Sequence, residues 1–232
     1  MPAYFWLNLA RLVIFVFTVL LGWMTYQSNL LLKRFRPDFN LLLSPPELMG
    51  RVLMVGLCLL LAWLTGLPAS RLGLVAANPG REIGLGIAAG VVIQIGVNLL
   101  TWVAIRYFGR QIYSPQVILN ILPRRPSEWL LVPLAFMPAV AMEELLFRSL
   151  WLGGFGEFIS WPLLIIAVSL VFGLMHWPQG YLGVVVAGGL NVLLSLLFLW
   201  TGSLVMPGMT HYTINLLQLV VAHYQRDWLE NY

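Results

Sequence analysis

"AMEELLFRSL", residues 141–150, sets Glu143, Glu144 and Arg148 within six positions of one another inside an otherwise apolar run. That run, from about Glu128 to Leu152, is long enough to cross a bilayer, for which about 20 apolar residues suffice. Whether it is one crossing among several decides the fold, and the rest of the chain answers. The sequence is 60% hydrophobic and only 9% charged, against roughly 25% charged residues in an ordinary soluble domain. Comparable apolar runs recur from end to end and leave no room for a separate soluble domain.

Hydropathy predicts helices at about Tyr4 to Tyr26, Leu48 to Leu67, Ile83 to Tyr107, Glu128 to Leu152, Ile159 to His176, Leu182 to Trp200 and Ser203 to His223. The expected fold is therefore all-α, a polytopic transmembrane bundle of about seven to eight helices. It forms one integral-membrane domain over residues 1–232, with its motif-bearing core at about 128–223. Breaker-rich stretches separate the runs: "AANPGRE", "LPRRPSE", "GGFGE", "HWPQG" and "TGS". The first run is expected to stay as a helix rather than act as a signal peptide, because it is long, carries Arg11 as its only early cation, and lacks a small-x-small cleavage site.

The net charge of +4 does not point to nucleic acid, since Lys33 is the single lysine and the arginines are scattered between apolar runs. Topology accounts for them better. Lys33, Arg34, Arg36 and Arg51 flank the first loop and Arg106, Arg110, Arg124 and Arg125 the third, so seven crossings put the N-terminus outside and the C-terminus inside. The basic cluster "KRFRPDF" suits either a headgroup-level segment or a basic loop. Gly86 and Gly90 form a G-x-x-x-G that favours close helix packing, with Gln94 and Asn98 one turn apart beyond it. Cys58 stands alone, so no internal disulfide and no cysteine-based zinc site can form. Neither a Walker nor a Rossmann glycine motif is present.

Of the nine acidic residues, Glu143 and Glu144 are the two that fall inside a predicted crossing. A charge at the centre of a membrane helix costs about 2.5–3.5 kcal/mol on insertion scales, so partners or water are expected. Glu144 and Arg148, four residues apart with the acid first, suit an ion pair. Glu143 is turned about 100° from that line and is left to act as a general base. His176 follows Phe172 by one turn and His211 precedes Asn215 by one turn; a histidine and an amide together can hold an oxyanion. His223 has no evident role. Each motif alone has a structural reading: a clamp, a hydrogen-bonded histidine, an amide that glues helices.

As an ordered set the motifs are more specific. E-E-x-x-x-R from Glu143 to Arg148, F-x-x-x-H from Phe172 to His176 and H-x-x-x-N from His211 to Asn215 resemble the CAAX prenyl protease type II and bacteriocin-processing (CPBP, or Abi) intramembrane protease family. The motif resemblance covers about residues 140 to 220. It implies a helical core around a water-accessible cavity, with Glu143 and His176 activating a water and with His211 and Asn215 stabilising the oxyanion. Glu144, Arg148 and Phe172 would support the site. Glu143, His176 and His211 could also hold zinc with a fourth position open, yet no H-E-x-x-H is present, and the metal-free reading is preferred.

The expected function is thus an intramembrane endopeptidase acting on a peptide or membrane-protein substrate beside the lipid bilayer, in the plasma (inner) membrane if the source is bacterial. The alternative is a non-catalytic scaffold or bacteriocin-immunity protein of the same fold. A proton-coupled transporter lacks the expected repeated halves, and a serine protease lacks a G-x-S-x-G context around Ser149, Ser169 or Ser195.

Overall fold

The computed structural model describes residues 2–35 and 37–232; Arg36, one of the cations assigned to the first loop, lies outside the described residues. Among the described residues there are nine α-helices and no strand. They are α1 (Pro2–Arg34), α2 (Pro45–Leu64), α3 (Pro79–Phe108), α4 (Gln116–Ile121), α5 (Glu128–Glu144), α6 (Trp161–Met175), α7 (Gly180–Thr201), α8 (Val205–Tyr224) and α9 (Arg226–Glu230). A π-helical run, Leu145–Gly153, continues α5 without a break.

All seven predicted helices are present, and five stretches are long and apolar enough to cross a membrane: Phe5–Arg34, Pro45–Leu64, Pro79–Phe108, Glu128–Gly153 and Trp177–Thr201. α6 is shorter, at 15 residues, and α8 has the length but carries Thr210, His211, Asn215 and Gln218 among its apolar residues. α1 runs past the expected Tyr26 to Arg34 because leucines, Lys33 and Arg34 are good helix formers and no breaker intervenes before Pro37. Much of "KRFRPDF" is therefore the end of α1 and a short turn. That turn is tied down by Asn40, whose Nδ2 donates to Ile121 O at 2.8 Å, and by Arg124, whose Nη2 donates to Pro37 O at 3.2 Å.

The most extensive pairings are α3 with α8 and α6 with α7. Gly86 and Gly90 explain the first: a Cβ on Gly86 would lie 2.8 Å from Met206 O, and one on Gly90 would lie 2.6 Å from Thr213 Cβ. The hydroxyl of Thr210 then donates to Gly86 O at 3.1 Å, a polar bond between backbones that only small residues let approach. The Gln94 amide turns along its own helix and donates to Asn98 Oδ1 at 2.8 Å.

Two apolar clusters form the interior. One joins Ile14, Cys58, Leu61, Leu146, Leu150, Leu164, Val168 and Phe198; the other joins Leu42, Leu122, Val132, Phe136, Leu219 and Leu229. Along α5 and its continuation, Glu143 and Glu144 fall between residues of the second cluster and residues of the first. The outward faces of α1, α2 and α3 expose Phe15, Trp23, Leu53, Trp63, Val92 and Trp102, the surface a helix presents to lipid.

The chain between α3 and α5 braces the "HWPQG" turn. Ser114 N–H donates to Gln179 O at 3.0 Å, and Gly180, at φ +82, packs against Ile112 O, where a Cβ would lie 2.6 Å away. Next to this contact Tyr113 meets Tyr232 edge to face at 5.6 Å, and burial pushes the Tyr113 phenol up to about 12.

Candidate active site

Three elements bring the polar residues together. The end of α5 supplies Glu143 and Glu144, the π-helical run supplies Arg148, and α8 supplies His211. Pro133 and Pro138 lie inside α5, each removing one backbone donor. Tyr212 O–H donates to Pro133 O at 3.1 Å and fixes α8 against α5 one residue beyond His211.

Glu144 is the hub. Its Oε1 accepts from Arg148 Nη1 at 3.1 Å and from His211 Nδ1 at 2.8 Å. Glu144 is 3% exposed and Arg148 0%, so the pair has traded water for each other. The remaining atoms are only partly satisfied: Glu144 Oε2 and Arg148 Nε have no hydrogen-bond partner among the described residues, which adds to the cost of burying the pair. Arg148 Nη2 reaches Asn191 O on α7 at 3.4 Å, and Asn191 in turn donates its amide to Ser169 Oγ on α6 at 2.9 Å. The predicted Glu144–Arg148 pair is thus present, and it belongs to a wider network through Asn191 and Ser169 that the sequence reading missed. A lone amide and a lone hydroxyl in apolar helices carry no pattern by which to find them.

Glu143 is more accessible, with 25% of its side chain exposed, and its Oε2 lies 3.5 Å from His211 Nε2. It is therefore turned towards the imidazole rather than left alone. His211 stands between the two carboxylates, Nδ1 on Glu144 and Nε2 towards Glu143.

His176 caps α6, half-buried, and its Nδ1 lies 2.8 Å from Phe172 O. A carbonyl only accepts, so Nδ1 carries a proton, and Nε2 is the nitrogen left for a further partner. The Phe172 ring packs on both imidazoles, with centroids 4.6 Å from His176 and 6.3 Å from His211. It also packs edge to face on Phe147 at 5.0 Å. Phe172 is the shared wall that sets the two histidines in one place. Asn215, half-buried one turn after His211 on α8, is on the same helix. His223 stands apart, against Trp129 at 5.1 Å.

Among the described residues no three His, Cys, Asp or Glu side chains gather into an arrangement that could hold a metal ion. The Glu143, His176 and His211 set does not close around one point. His211 is engaged through both nitrogens and His176 uses Nδ1 on a backbone carbonyl.

What the arrangement offers is a carboxylate that is a quarter exposed, a histidine with Nδ1 on a backbone carbonyl, and a second histidine anchored by a buried carboxylate. Residues 125–217, a segment that contains every one of these motif side chains, match the family model "Type II CAAX prenyl endopeptidase Rce1-like". No curated protein and no solved structure matches the chain. The apolar helices and this match make the chain an integral membrane protein. Over that segment the chain is similar to the type II CAAX prenyl endopeptidase Rce1-like family, a family of proteases.

Proposed function

We propose that the protein is an intramembrane endopeptidase that hydrolyses a peptide bond of a membrane-tethered peptide or membrane-protein segment, using a water activated by Glu143 and His176. The observation that carries this reading is the difference between the two histidines. His176 donates to a neutral carbonyl and has Nε2 left to act as a base, whereas His211 donates to the carboxylate of Glu144 and faces Glu143. The Glu144 carboxylate fixes the His211 ring in orientation, and a proton on its Nε2 can be donated to a developing oxyanion.

In this mechanism Glu143, helped by His176, takes a proton as the water oxygen attacks the peptide carbonyl. The tetrahedral oxyanion forms against His211 and Asn215. Collapse expels the amine, which takes its proton back from Glu143. Arg148 holds Glu144 in place, and Phe172 packs against both imidazoles. None of these steps is routed through a metal.

The test is cleavage of a membrane-tethered peptide library by the purified full chain, by Glu143→Ala and by His176→Ala, each with and without a zinc chelator. Cleavage by the wild type that is lost in both variants and insensitive to chelator supports the mechanism. Undiminished cleavage by Glu143→Ala overturns it, and inhibition by the chelator overturns its metal-free form.

A further inference from the structure

The π-helical run that carries Arg148, directly after Glu143 and Glu144, ends at Gly153 with Gly154 as its cap, and arginines from outside the family-matched segment hold the carbonyls of both glycines. Arg11, on α1 and buried, donates Nε and Nη2 to Gly154 O at 3.1 and 2.9 Å. Arg71, between α2 and α3, donates Nε to Gly153 O at 3.0 Å and also pairs with Glu157. The Arg11 guanidinium lies over the Phe158 ring at 3.8 Å from its centroid. Seven residues further along α1, Thr18 Oγ1 accepts from Trp151 Nε1 at 2.9 Å. A Cβ on Gly153 would stand 2.8 Å from Arg71 O, so this close approach depends on glycine.

Two physical facts give the grip a purpose. The last carbonyls of a helix have no intrahelical donors and carry the negative end of its dipole, so cationic donors there are favoured. A π-helical run is also rare, is mostly confined to a single turn, and occurs frequently at functional sites. The run Leu145–Gly153 extends over nine residues, and its register decides where Arg148 points relative to Glu144.

We propose that Arg11 and Arg71 are positioning residues: they pin the end of the π-helical run and so hold Arg148 on Glu144 and Glu144 on His211. An arginine in the first membrane helix thereby acts on the site from a part of the chain that bears none of the motifs. The catalytic half of this inference rests on the endopeptidase reading; the structural half does not.

The experiment compares the wild type with Arg11→Gln, Arg71→Gln and Arg11→Lys in reconstituted full-length protein. It reads kcat and KM on the membrane-tethered peptide, thermal stability, and hydrogen–deuterium exchange over residues 145–154. Arg11→Gln is expected to speed exchange across that stretch and to lower kcat roughly 10- to 100-fold, as a small misplacement of reacting groups does, with KM unchanged. Arg11→Lys, which keeps the charge and one donor, should restore part of both. Unchanged exchange over 145–154, or lowered thermal stability with wild-type kcat in the folded fraction, would overturn the proposal. If the wild type cleaves nothing, the endopeptidase reading fails while exchange still decides the pinning. If Arg11→Gln does not fold, Arg71→Gln is read by the same two outcomes.

Discussion

Glu144 Oε1 receives both the Arg148 guanidinium, at 3.1 Å, and the His211 imidazole, at 2.8 Å. One oxygen thus ties the π-helical run to α8. Replacing Glu144 with Gln leaves Arg148 buried without a counter-charge, and removing one partner of a buried pair costs about 3–5 kcal/mol. Unfolding of the purified variant in detergent should show that loss. The double change Glu144→Leu with Arg148→Met should regain much of the stability, since a well-packed apolar pair often replaces a buried ion pair at little cost. It should not regain hydrolysis.

Glu143→Gln behaves differently. The side chain is 25% exposed and only approaches the His211 imidazole, at 3.5 Å, so stability should change by no more than about 0.5 kcal/mol. Hydrolysis should fall by roughly 10²- to 10⁴-fold, the usual contribution of a general base. Parallel thermal melts and single-turnover rates separate the two effects.

Asn215→Ala should lower kcat by roughly 10²- to 10³-fold with little change in KM, as loss of an oxyanion donor does. Asn215 is half-buried on α8, so the melting temperature should move little. A matched loss of stability would mark the amide as helix glue instead.

Gly90→Leu tests the scaffold. A Cβ there would already lie 2.6 Å from Thr213 Cβ and 2.9 Å from Thr210 O, so α3 and α8 must separate. The expected cost is at least about 1–3 kcal/mol, the usual penalty of overpacking. Hydrolysis should fall with it, because Thr210 and His211 are neighbours on the displaced helix.

Alkaline pH should loosen the brace on the "HWPQG" turn. The Tyr113 phenol is raised from 10.0 to about 12 by burial, so the folded chain keeps its proton where the unfolded chain loses it. The contribution of Tyr113 is complete below pH 10 and is lost as pH rises towards 12. Urea melts of wild type and Tyr113→Phe across this window should show a shallower slope in the variant.

Much of this architecture was legible in the residues themselves. The seven long helices follow from hydropathy, and a close helix approach on α3 follows from Gly86 and Gly90, though not that α8 is the partner. The Glu144–Arg148 pair follows from helical spacing. The His211–Glu144 bond did not, because it joins residues 67 positions apart and no local period encodes it. The π-helical run was equally hidden: Leu, Phe and Trp suit an α-helix as well, and the contacts of Arg11, Thr18 and Arg71 with Trp151, Gly153 and Gly154 are tertiary. Helices α4 and α9, of 6 and 5 residues, are too short to show a period.

α6 is the one long-chain element that stops early. Its 15 residues rise about 22 Å at 1.5 Å each, several ångströms short of a hydrocarbon core about 30 Å thick. A helix of that length is a hydrophobic mismatch, which the bilayer meets by thinning beside it. His176 sits at the truncated end, so thinning beside this helix would bring the aqueous boundary towards the imidazole. For the proposed hydrolase, an unfinished helix would be the route by which its second substrate, water, comes within reach.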